Sequence, residues 1–337
     1  MSIADNCTLE ALEAENMRFI GSSLAQTLYR KPLLITLSGE LGVGKTTFAQ
    51  GFAEGLGIAD RVVSPTFSLE QRYGDVLSHI DLYRLKKSEL SAILHHTEEF
   101  PGIRLMEWGD RARHLPLKED IRVVITDHEK HGRLITVEFL DLPIPSNREI
   151  ENWCREVVLP DHIVDHMNIV ARVADIFAEH LVKRGMVVRR KALAAAAKSH
   201  DLMRFVDFRE NGTHNRNATE QQTTAWSVLK KKYAEKHEGA ACEFLADHHY
   251  SEIGKIIRTH RGYPDNELGR PQTTEQRILA YADKRVLYDK VVTLEQRFHD
   301  FAERYAGGKT TAFAKAWYAE MQLLEQQLFP EGVPTLR

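Results

Sequence analysis

One short stretch limits what this chain can fold into. Residues 39–46 have the sequence GELGVGKT, which matches the pattern G-x-x-x-x-G-K-[ST]. An apolar run at residues 33–37 precedes it and a helical pattern at 46–55 follows it, as in a buried strand that leads through a glycine turn into a helix. The stretch therefore predicts a P-loop within an α/β domain that has a mostly parallel sheet with flanking helices.

The chemistry of this loop depends on its backbone and on two side chains. The glycines let backbone N–H groups converge on phosphate oxygens at the positive end of the helix. Lys45 is expected to reach the β- and γ-phosphates, and the Thr46 hydroxyl to ligate Mg²⁺. The expected nucleotide-binding residues are Gly39, Glu40, Leu41, Gly42, Val43, Gly44, Lys45, Thr46 and Thr47.

Two acidic residues follow predicted strands of the same domain. Asp81 comes after the run at residues 76–80, and Glu107 after the run at 103–106. Parallel sheets place metal-binding and water-orienting groups at these strand ends. By position alone, an ordinary helix-capping or surface acid accounts equally well for each.

The strand-like runs largely stop after a segment with prolines at positions 143 and 145. Proline can neither join a sheet ladder nor sit inside a helix, so we place a domain boundary there. The chain of 337 residues is long enough for two domains. We predict a P-loop domain at residues 1–145 and an all-α helical bundle at 146–337.

Apolar periodicity predicts the helices. Thr273 and Gln276 support one helix start, because they match a capping box. Residues 209–222 are polar and are expected to form a mobile insertion. The predicted helices are 9–28, which comes first in the chain, then 163–183, 191–203, 219–246, 251–258, 273–292 and a long one from residue 294.

Composition excludes several classes of protein. With 45 basic and 48 acidic residues, a formal net charge of −3, the chain has no bulk positive field for unspecific binding to nucleic acid or membranes. The charge runs 189–191 and 230–232 are expected to be solvated helix faces rather than tRNA contacts. No apolar stretch approaches the ~18 residues of a membrane-spanning helix. The N-terminus lacks a signal-peptide pattern and the three cysteines are scattered, so we expect a cytoplasmic protein.

Four blocks in the first half resemble the TsaE (YjeE) ATPase family in order and spacing. They are residues 39–48 (GELGVGKTTF), 63–67 (VSPTF), 79–84 (HIDLYR) and Glu107-Trp108. The resemblance implies a small ATPase that binds TsaB and TsaD of the tRNA threonylcarbamoyladenosine machinery and is needed for its turnover. The tRNA would then be contacted indirectly, mainly through these partner proteins.

The same resemblance implies roles for individual residues. Lys45, Asp81 and Glu107 would be catalytic, and Thr46, Asp81 and Glu107 would bind Mg²⁺ with ATP. Residues 64–67 would form a switch segment near the γ-phosphate, which adds Thr66 to the nucleotide-binding residues. For Trp108, the residue pattern leaves open a buried aromatic, a partner-docking residue or a residue beside the nucleotide.

The second half contains a set of histidines and aspartates, each on or at the end of a predicted helix. Side chains from separate helices can converge inside a bundle and enclose metal ions. Mixed nitrogen and oxygen ligands suit Mn, Fe, Co, Ni or Zn better than Ca. Six ligands suggest two metals, bridged by Asp201, that generate a hydroxide for in-line attack on phosphorus. The six expected ligands are His166, His200, Asp201, His237, His260 and Asp283.

The order H…HD…H…H…D resembles the HD-domain metallophosphohydrolase superfamily in its form with two extra histidines. The resemblance implies hydrolysis of a nucleotide or another phosphate ester, with His200 and Asp201 as catalytic residues. It departs from the family in spacing, because the polar insertion lengthens the segment before His237. Basic residues near the ligands are candidates for binding the substrate phosphate: Arg204, Arg258, Arg261, Lys284 and Arg285.

Three functional hypotheses follow. The first is a bifunctional fusion of a tRNA-modification ATPase with a di-metal HD phosphohydrolase. In the second, the HD half is a non-catalytic nucleotide sensor that gates the ATPase. The third is a free-standing P-loop kinase, for which no substrate-lid block is recognisable between Glu107 and Pro143.

Overall fold

The computed structural model divides the chain into two units. The first contains Met1–Leu142 with Leu181–Arg189, and the second Pro143–His180 with Arg190–Arg337. The structure describes residues 5–128, 132–208, 217–233, 235–261 and 269–336.

The first unit is built on a mixed β-sheet. Its strands are β1 (Asp5–Ala11), β2 (Leu33–Ser38), β3 (Glu70–Tyr73), β4 (Leu77–Asp81), β5 (Ile103–Glu107), β6 (Ile121–Asp127) and β7 (Arg133–Phe139). Within the described ranges the seven strands lie in the order β1-β7-β6-β2-β5-β4-β3. The pairs β2–β5, β2–β6 and β4–β5 are parallel, while β1–β7, β6–β7 and β3–β4 are antiparallel. The predicted α/β class is confirmed, with a parallel centre and antiparallel edges.

Among the described residues up to Leu142, the α-helices are α1 (Ala14–Ala25), α2 (Lys45–Gly55) and α3 (Lys87–Thr97). Helices α1 and α2 pack with their backbones close together. A Cβ atom at Gly21 would lie 2.3 Å from the carbonyl oxygen of Phe48, so only glycine fits there. This contact packs α1 against α2, which follows the P-loop directly.

The expectation that a helix at residues 9–28 comes first is wrong at its start. Residues 5–11 form β1, in which buried and exposed side chains alternate strictly. That period of two is typical of a half-buried strand. Strand β3 and helix α3 have no counterpart among the predicted elements.

Arg189 does not belong to a solvated helix face, contrary to the expectation for residues 189–191. Its side chain is buried, and its guanidinium donates hydrogen bonds to Asp141 Oδ1 at 2.6 Å and Oδ2 at 3.1 Å. Arg189 Nε also donates to the carbonyl oxygen of Thr27 at 2.7 Å. A bidentate pair of this kind compensates the cost of burying both charges.

Asp141→Ala is expected to destabilise the first unit strongly, because it leaves the Arg189 guanidinium buried and uncompensated. Breaking a buried ion pair in this way costs about 3–5 kcal/mol. The matched control is Glu54→Ala, which removes an exposed carboxylate that pairs with Arg18 at 2.9 Å. The control should cost no more than about 1 kcal/mol. Urea unfolding measures both changes, and equal losses would contradict the assignment.

The chain after Pro143 is helical, which confirms the predicted class. The hairpin strands β8 (Val286–Leu287) and β9 (Lys290–Val291) interrupt it. The helices are α4 (Asn147–Glu156), α5 (Asp161–Lys183), α6 (Arg190–Ala197), α7 (Glu220–Lys232), α8 (His237–Asp247), α9 (Ser251–Ile257), α10 (Thr274–Lys284), α11 (Leu294–Ala306) and α12 (Ala312–Leu328).

Several predicted helices were too long. The helix predicted at 191–203 ends at Ala197, and the one predicted at 273–292 ends at Lys284 before the hairpin. The helix predicted at 219–246 is two helices, α7 and α8, and the last helix is also divided, into α11 and α12. The predicted polar insertion falls partly on residues 209–216, which lie outside the described ranges.

Capping explains where several of the helices start. The Gln276 backbone N–H donates to Thr273 Oγ1 at 3.4 Å, so the predicted capping box before α10 is confirmed. Helix α4 was not predicted, although Ser146 and Glu149 form the same kind of box in front of it. A search for the S-x-x-E pattern would have found that start.

Candidate active sites

Three glycines shape the loop before α2. Gly39, Gly42 and Gly44 have φ angles of 148°, 81° and 109°, in the region that favours glycine. A Cβ atom at Gly39 would also lie 2.3 Å from the carbonyl oxygen of Ile125. The backbone geometry of the loop therefore requires these glycines.

The ammonium of Lys45 lies inside the curve of the loop. Its Nζ donates to the carbonyl oxygens of Gly39 at 2.9 Å and Glu40 at 2.8 Å, and lies 3.6 Å from the centroid of the Trp108 ring. Burial lowers the pKa of Lys45, while the charges of Glu107 and Asp81 act in the opposite direction. Of the alternatives for Trp108, the structure thus favours a position beside the nucleotide site.

Other loop residues contribute in different ways. Val43 is buried, and its carbonyl oxygen accepts a hydrogen bond from Arg133 Nε at 3.2 Å. Leu41 is exposed, and Thr47 lies in the first turn of α2. Arg133, which comes from β7, brings a second cation to the loop that the sequence analysis did not predict.

Asp81 and Glu107 are register partners at the ends of the neighbouring parallel strands β4 and β5. The Thr46 hydroxyl donates to Glu107 Oε1 at 3.0 Å, and His79 Nε2 lies 3.0 Å from the same oxygen. His79 is fully buried and is a further site residue, for which the residue pattern predicts no role. Thr46 and Glu107 are therefore in direct contact beside Lys45, as expected for residues that share a metal.

Asp81 contacts the segment that the family resemblance marks as a switch. The Thr66 hydroxyl donates to Asp81 Oδ2 at 2.5 Å, and Ser64 Oγ lies 3.5 Å from the same oxygen. The backbone N–H of Tyr83 donates to Asp81 Oδ1 at 2.7 Å. Asp81 thus connects residues 64–66 to the end of β4.

The second unit brings its six predicted ligands together. His166 lies in α5 and Asp283 in α10, while His237 begins α8. His200 and Asp201 follow α6, and His260 follows α9. Donor atoms lie within 4.8 Å of one another in three overlapping groups: His166-His200-Asp201, His200-His260-Asp283 and Asp201-His237-His260.

The two oxygens of Asp201 face two different groups of ligands. Asp201 Oδ2 lies 3.9 Å from His200 Nε2, whereas Oδ1 lies 3.1 Å from His237 Nε2 and 3.7 Å from His260 Nε2. Asp283 Oδ1 lies 3.1 Å from His166 Nε2 and 3.7 Å from His200 Nε2. This is the arrangement expected of a carboxylate that bridges two metal ions.

The histidine nitrogens fit metal ligation. The Nδ1 atoms of His200 and His260 lie 2.8 Å from the carbonyl oxygens of Ala197 and Ile257, so they carry the protons. In the neutral ring, each Nε2 atom then has no proton, so its lone pair is available to a metal ion, and it faces the carboxylates. Among the described residues, His200 Nε2 is buried without any hydrogen-bond partner, which fits a nitrogen that ligates a cation.

Burial and neighbouring charges shift the pKa values of the ligands in different directions. Burial lowers the pKa of His260 to about 4, so its imidazole is neutral at pH 7. Burial also acts to lower the pKa of His200, but Asp201 and Asp283 raise it above its usual value. Burial alone would raise the pKa of Asp201 and of Asp283, but neighbouring cations, foremost Arg204 and Lys284, hold both well below the usual range. Neutral imidazole and ionised carboxylate are the forms that metal ions require.

Asp207 is a residue of this site that the sequence analysis missed. Its Oδ2 lies 2.6 Å from His237 Nδ1 and also accepts a hydrogen bond from Arg261. A carboxylate on the far nitrogen of a histidine fixes the orientation of the ring. No spacing pattern marks Asp207, because the contact joins residues on either side of the polar insertion.

A cavity of about 430 Å³ opens beside the ligands His166, Asp201, His260 and Asp283. Three of the five cations expected to bind phosphate line it: Arg204, Arg261 and Lys284. The other two do not. Arg258 forms a half-exposed ion pair with Glu235, and Arg285 donates to Tyr281 and Val292.

Comparison with known proteins identifies both parts of the chain. The family model for threonylcarbamoyl adenosine biosynthesis protein TsaE matches residues 12–135. The chain is 40% identical over 133 residues to the tRNA threonylcarbamoyladenosine biosynthesis protein TsaE of Bacillus subtilis, a match that covers 39% of this chain and 80% of that protein. The chain belongs to the TsaE family. In addition, the HD domain model matches residues 163–286, so the TsaE part is fused to an HD domain.

Further comparisons give another relative and two solved structures. TsaE of Nostoc is 33% identical over 141 residues, which cover 40% of this chain and 86% of that protein. The crystal structure of Bacillus subtilis YdiB aligns with 30% identity and a TM-score of 0.35, covering 46% of this chain and 96% of that one. The HD domain of the L. monocytogenes phosphodiesterase PgpH aligns with 15% identity and a TM-score of 0.28, covering 57% and 91%. Within the described residues, the helices are too short or too polar to span a bilayer.

Proposed function

We propose that the chain is a bifunctional hydrolase with two separate sites. Residues 1–145 form an ATPase domain that supports the threonylcarbamoyladenosine modification of tRNA, and residues 146–337 form a di-metal phosphohydrolase domain. The observation that supports the second activity best is Asp201, whose two oxygens face two groups of metal-ligating side chains. We place both activities in the cytoplasm.

In the ATPase, the residues around the P-loop bind and orient Mg²⁺-ATP. Thr46, Asp81 and Glu107 would hold Mg²⁺, which would offset the negative charge on the phosphates. Lys45 donates to the β- and γ-phosphates, which replace the loop carbonyls as its acceptors. Glu107, supported by the buried His79, is placed to accept a proton from the attacking water.

Thr66 gives this ATPase a means of sensing the nucleotide. Its hydroxyl donates to Asp81, so movement of the segment around Thr66 changes the hydrogen bonding of a candidate metal ligand. The names of the relatives place them in threonylcarbamoyladenosine biosynthesis. We propose TsaB- and TsaD-like proteins as partners and tRNA as an indirect one. ATP hydrolysis should rise when both partners are added to the purified chain.

In the HD domain, residues on five helices or their ends hold the metals and the substrate phosphate. Two transition metal ions (Mn, Fe, Co, Ni or Zn) would supply a hydroxide and bind phosphoryl oxygens. His200 and Asp201 would help to hold these ions, while Asp207 orients His237. Arg204 and Lys284 are placed to donate to the phosphoryl oxygens. The water oxygen bonds to phosphorus, the ester P–O bond breaks, and the leaving oxygen takes a proton.

A non-catalytic nucleotide sensor is the second candidate for the HD domain. The complete set of six ligands favours catalysis, because a sensor has no need for a pair of ions that activates water. A screen of phosphorylated metabolites with Mn²⁺, Co²⁺ or Ni²⁺ tests the choice. We expect release of inorganic phosphate from at least one phosphate ester, and no release from any of them would contradict a phosphohydrolase. A kinase is tested separately, because ADP release without an acceptor excludes it.

A further inference from the structure

Helices α11 and α12 lie beyond the part of the chain that matches the HD domain, which ends at residue 286. They nevertheless form one wall of the cavity beside the metal-ligand set. We call this surface the recognition wall; its residues include Arg297, Phe298, Phe301, Phe313 and Trp317. The wall belongs to the same unit as the HD ligands.

Arg297 is an anion-binding candidate on the wall. Its side chain is 11% exposed, and among the described residues its Nε atom is buried without a hydrogen-bond partner. Its carboxylate neighbour Asp300 is 3.9 Å away, too far for a good hydrogen bond. A buried guanidinium donor without a partner is rare in proteins and suits a phosphate oxygen that enters the cavity.

The aromatic side chains of the wall pack against one another. The rings of Phe301 and Trp317 stack at 5.2 Å with an angle of 16°, and Phe298 meets Trp317 edge-on at 5.1 Å. Trp317 is fixed further, because its Nε1 donates to the carbonyl oxygen of Arg261 at 2.9 Å. Phe313 lies 6.0 Å from Trp317, lines the cavity and is 39% exposed. An exposed aromatic ring on a rigid support is a good contact for another planar ring.

We propose that the recognition wall selects a small phosphomonoester whose leaving group contains a planar ring, namely a nucleoside 5′-monophosphate. Arg297 binds its phosphate beside the metal ligands, and Phe313 contacts its base. The cavity of about 430 Å³ has the size of a small-molecule site, which suits one nucleotide rather than a nucleic-acid strand. A sugar phosphate would leave the aromatic surface unused. This inference rests on the proposed function of the HD domain and names its substrate class.

Equilibrium dialysis of the full chain tests the wall. All proteins contain Lys45→Ala, so that nucleotide does not bind at the P-loop, and a chelator prevents hydrolysis. We expect AMP to bind about tenfold or more tighter than ribose 5-phosphate. Phe313→Ala should remove that preference and leave ribose 5-phosphate binding unchanged. The control is Leu323→Ala, which changes an exposed apolar residue on the same helix that does not line this cavity.

Arg297→Gln should weaken the binding of AMP and of ribose 5-phosphate alike, by about tenfold, whereas Arg297→Lys should retain part of the binding. The lysine variant also shows whether a loss comes from misfolding, as does a thermal unfolding curve of each protein. Phenyl phosphate serves as a further ligand. If phenyl phosphate binds more tightly than inorganic phosphate, and Phe313→Ala removes this difference in affinity, the contact between Phe313 and the ring of the ligand is supported.

Equal binding of AMP and ribose 5-phosphate, with no effect of Phe313→Ala, would overturn the inference. Hydrolysis separates this failure from failure of the proposed function. If the Mn²⁺-loaded chain hydrolyses both esters with equal kcat/KM, the phosphohydrolase activity is supported and the role of the recognition wall is contradicted. If AMP binds selectively but no ester is hydrolysed, the proposed ligand class is supported and the phosphohydrolase activity is contradicted.

Discussion

Asp201→Ala is expected to abolish hydrolysis of phosphate esters, with a loss of about 10³-fold or more in kcat. The substitution removes the carboxylate whose oxygens face both groups of histidines, so it disrupts both metal positions at once. Metal content should fall with activity, which elemental analysis of the purified variant measures. ATP hydrolysis should keep its wild-type rate, because Lys45 and Glu107 lie in the other unit.

Asp165→Ala is the matched control for this experiment. Asp165 is exposed and adjoins the ligand His166 in α5, so its removal changes the local charge without removing a ligand. Metal content and phosphate release should stay within about twofold of the wild type. Full phosphohydrolase activity in Asp201→Ala would contradict the assigned site.

Lys45→Ala is expected to lower ATP hydrolysis by about 10²- to 10³-fold, as is typical when a preorganised charge-stabilising group is removed. The Lys45 ammonium lies inside the loop that would hold the phosphates, where it donates to the carbonyl oxygens of Gly39 and Glu40. Phosphate release by the HD domain should be unchanged. The two activities are measured in parallel, as ADP release and as inorganic phosphate from a phosphomonoester.

The control here is Lys118→Ala, which removes an exposed lysine of the same unit. Its ATPase rate should match that of the wild type. Loss of both activities in Lys45→Ala or in Asp201→Ala would contradict the account of two separate sites.

The P-loop half could be predicted well because its key signals are local. The strand, glycine turn and helix around Lys45 are contiguous in sequence, and Asp81 and Glu107 each end a recognisable apolar run. Strand β1 could not be predicted in this way. It is an edge strand whose place depends on β7, far along the chain, and its residues overlap a helical pattern.

The histidine and aspartate set could be predicted because its order along the chain is distinctive, although its role in metal binding stays a prediction. The contacts between charged residues that are distant in sequence could not be predicted. Asp207 meets His237 across 30 residues, and Arg189 meets Asp141 across 48. A charge that is paired in this way looks the same in sequence as a solvated one.

The break between α7 and α8 has a consequence for the site. Apolar periodicity runs through residues 219–246, so a single helix was expected there. Instead, Tyr233 leaves the helical conformation and α8 begins at His237, whose backbone N–H lies 3.3 Å from Asp207 Oδ1. The N-terminal position lets His237 approach Asp207 through both its backbone and its ring.

Metal analysis of the wild-type chain, combined with a phosphate-release assay after Mn²⁺ addition, tests the central claim most directly. Six ligands with a bridging Asp201 predict about two transition metal ions per chain and Mn²⁺-dependent hydrolysis of a phosphomonoester. Fewer than about one metal ion per chain, together with no hydrolysis after Mn²⁺ addition, would contradict the di-metal phosphohydrolase and favour the nucleotide sensor.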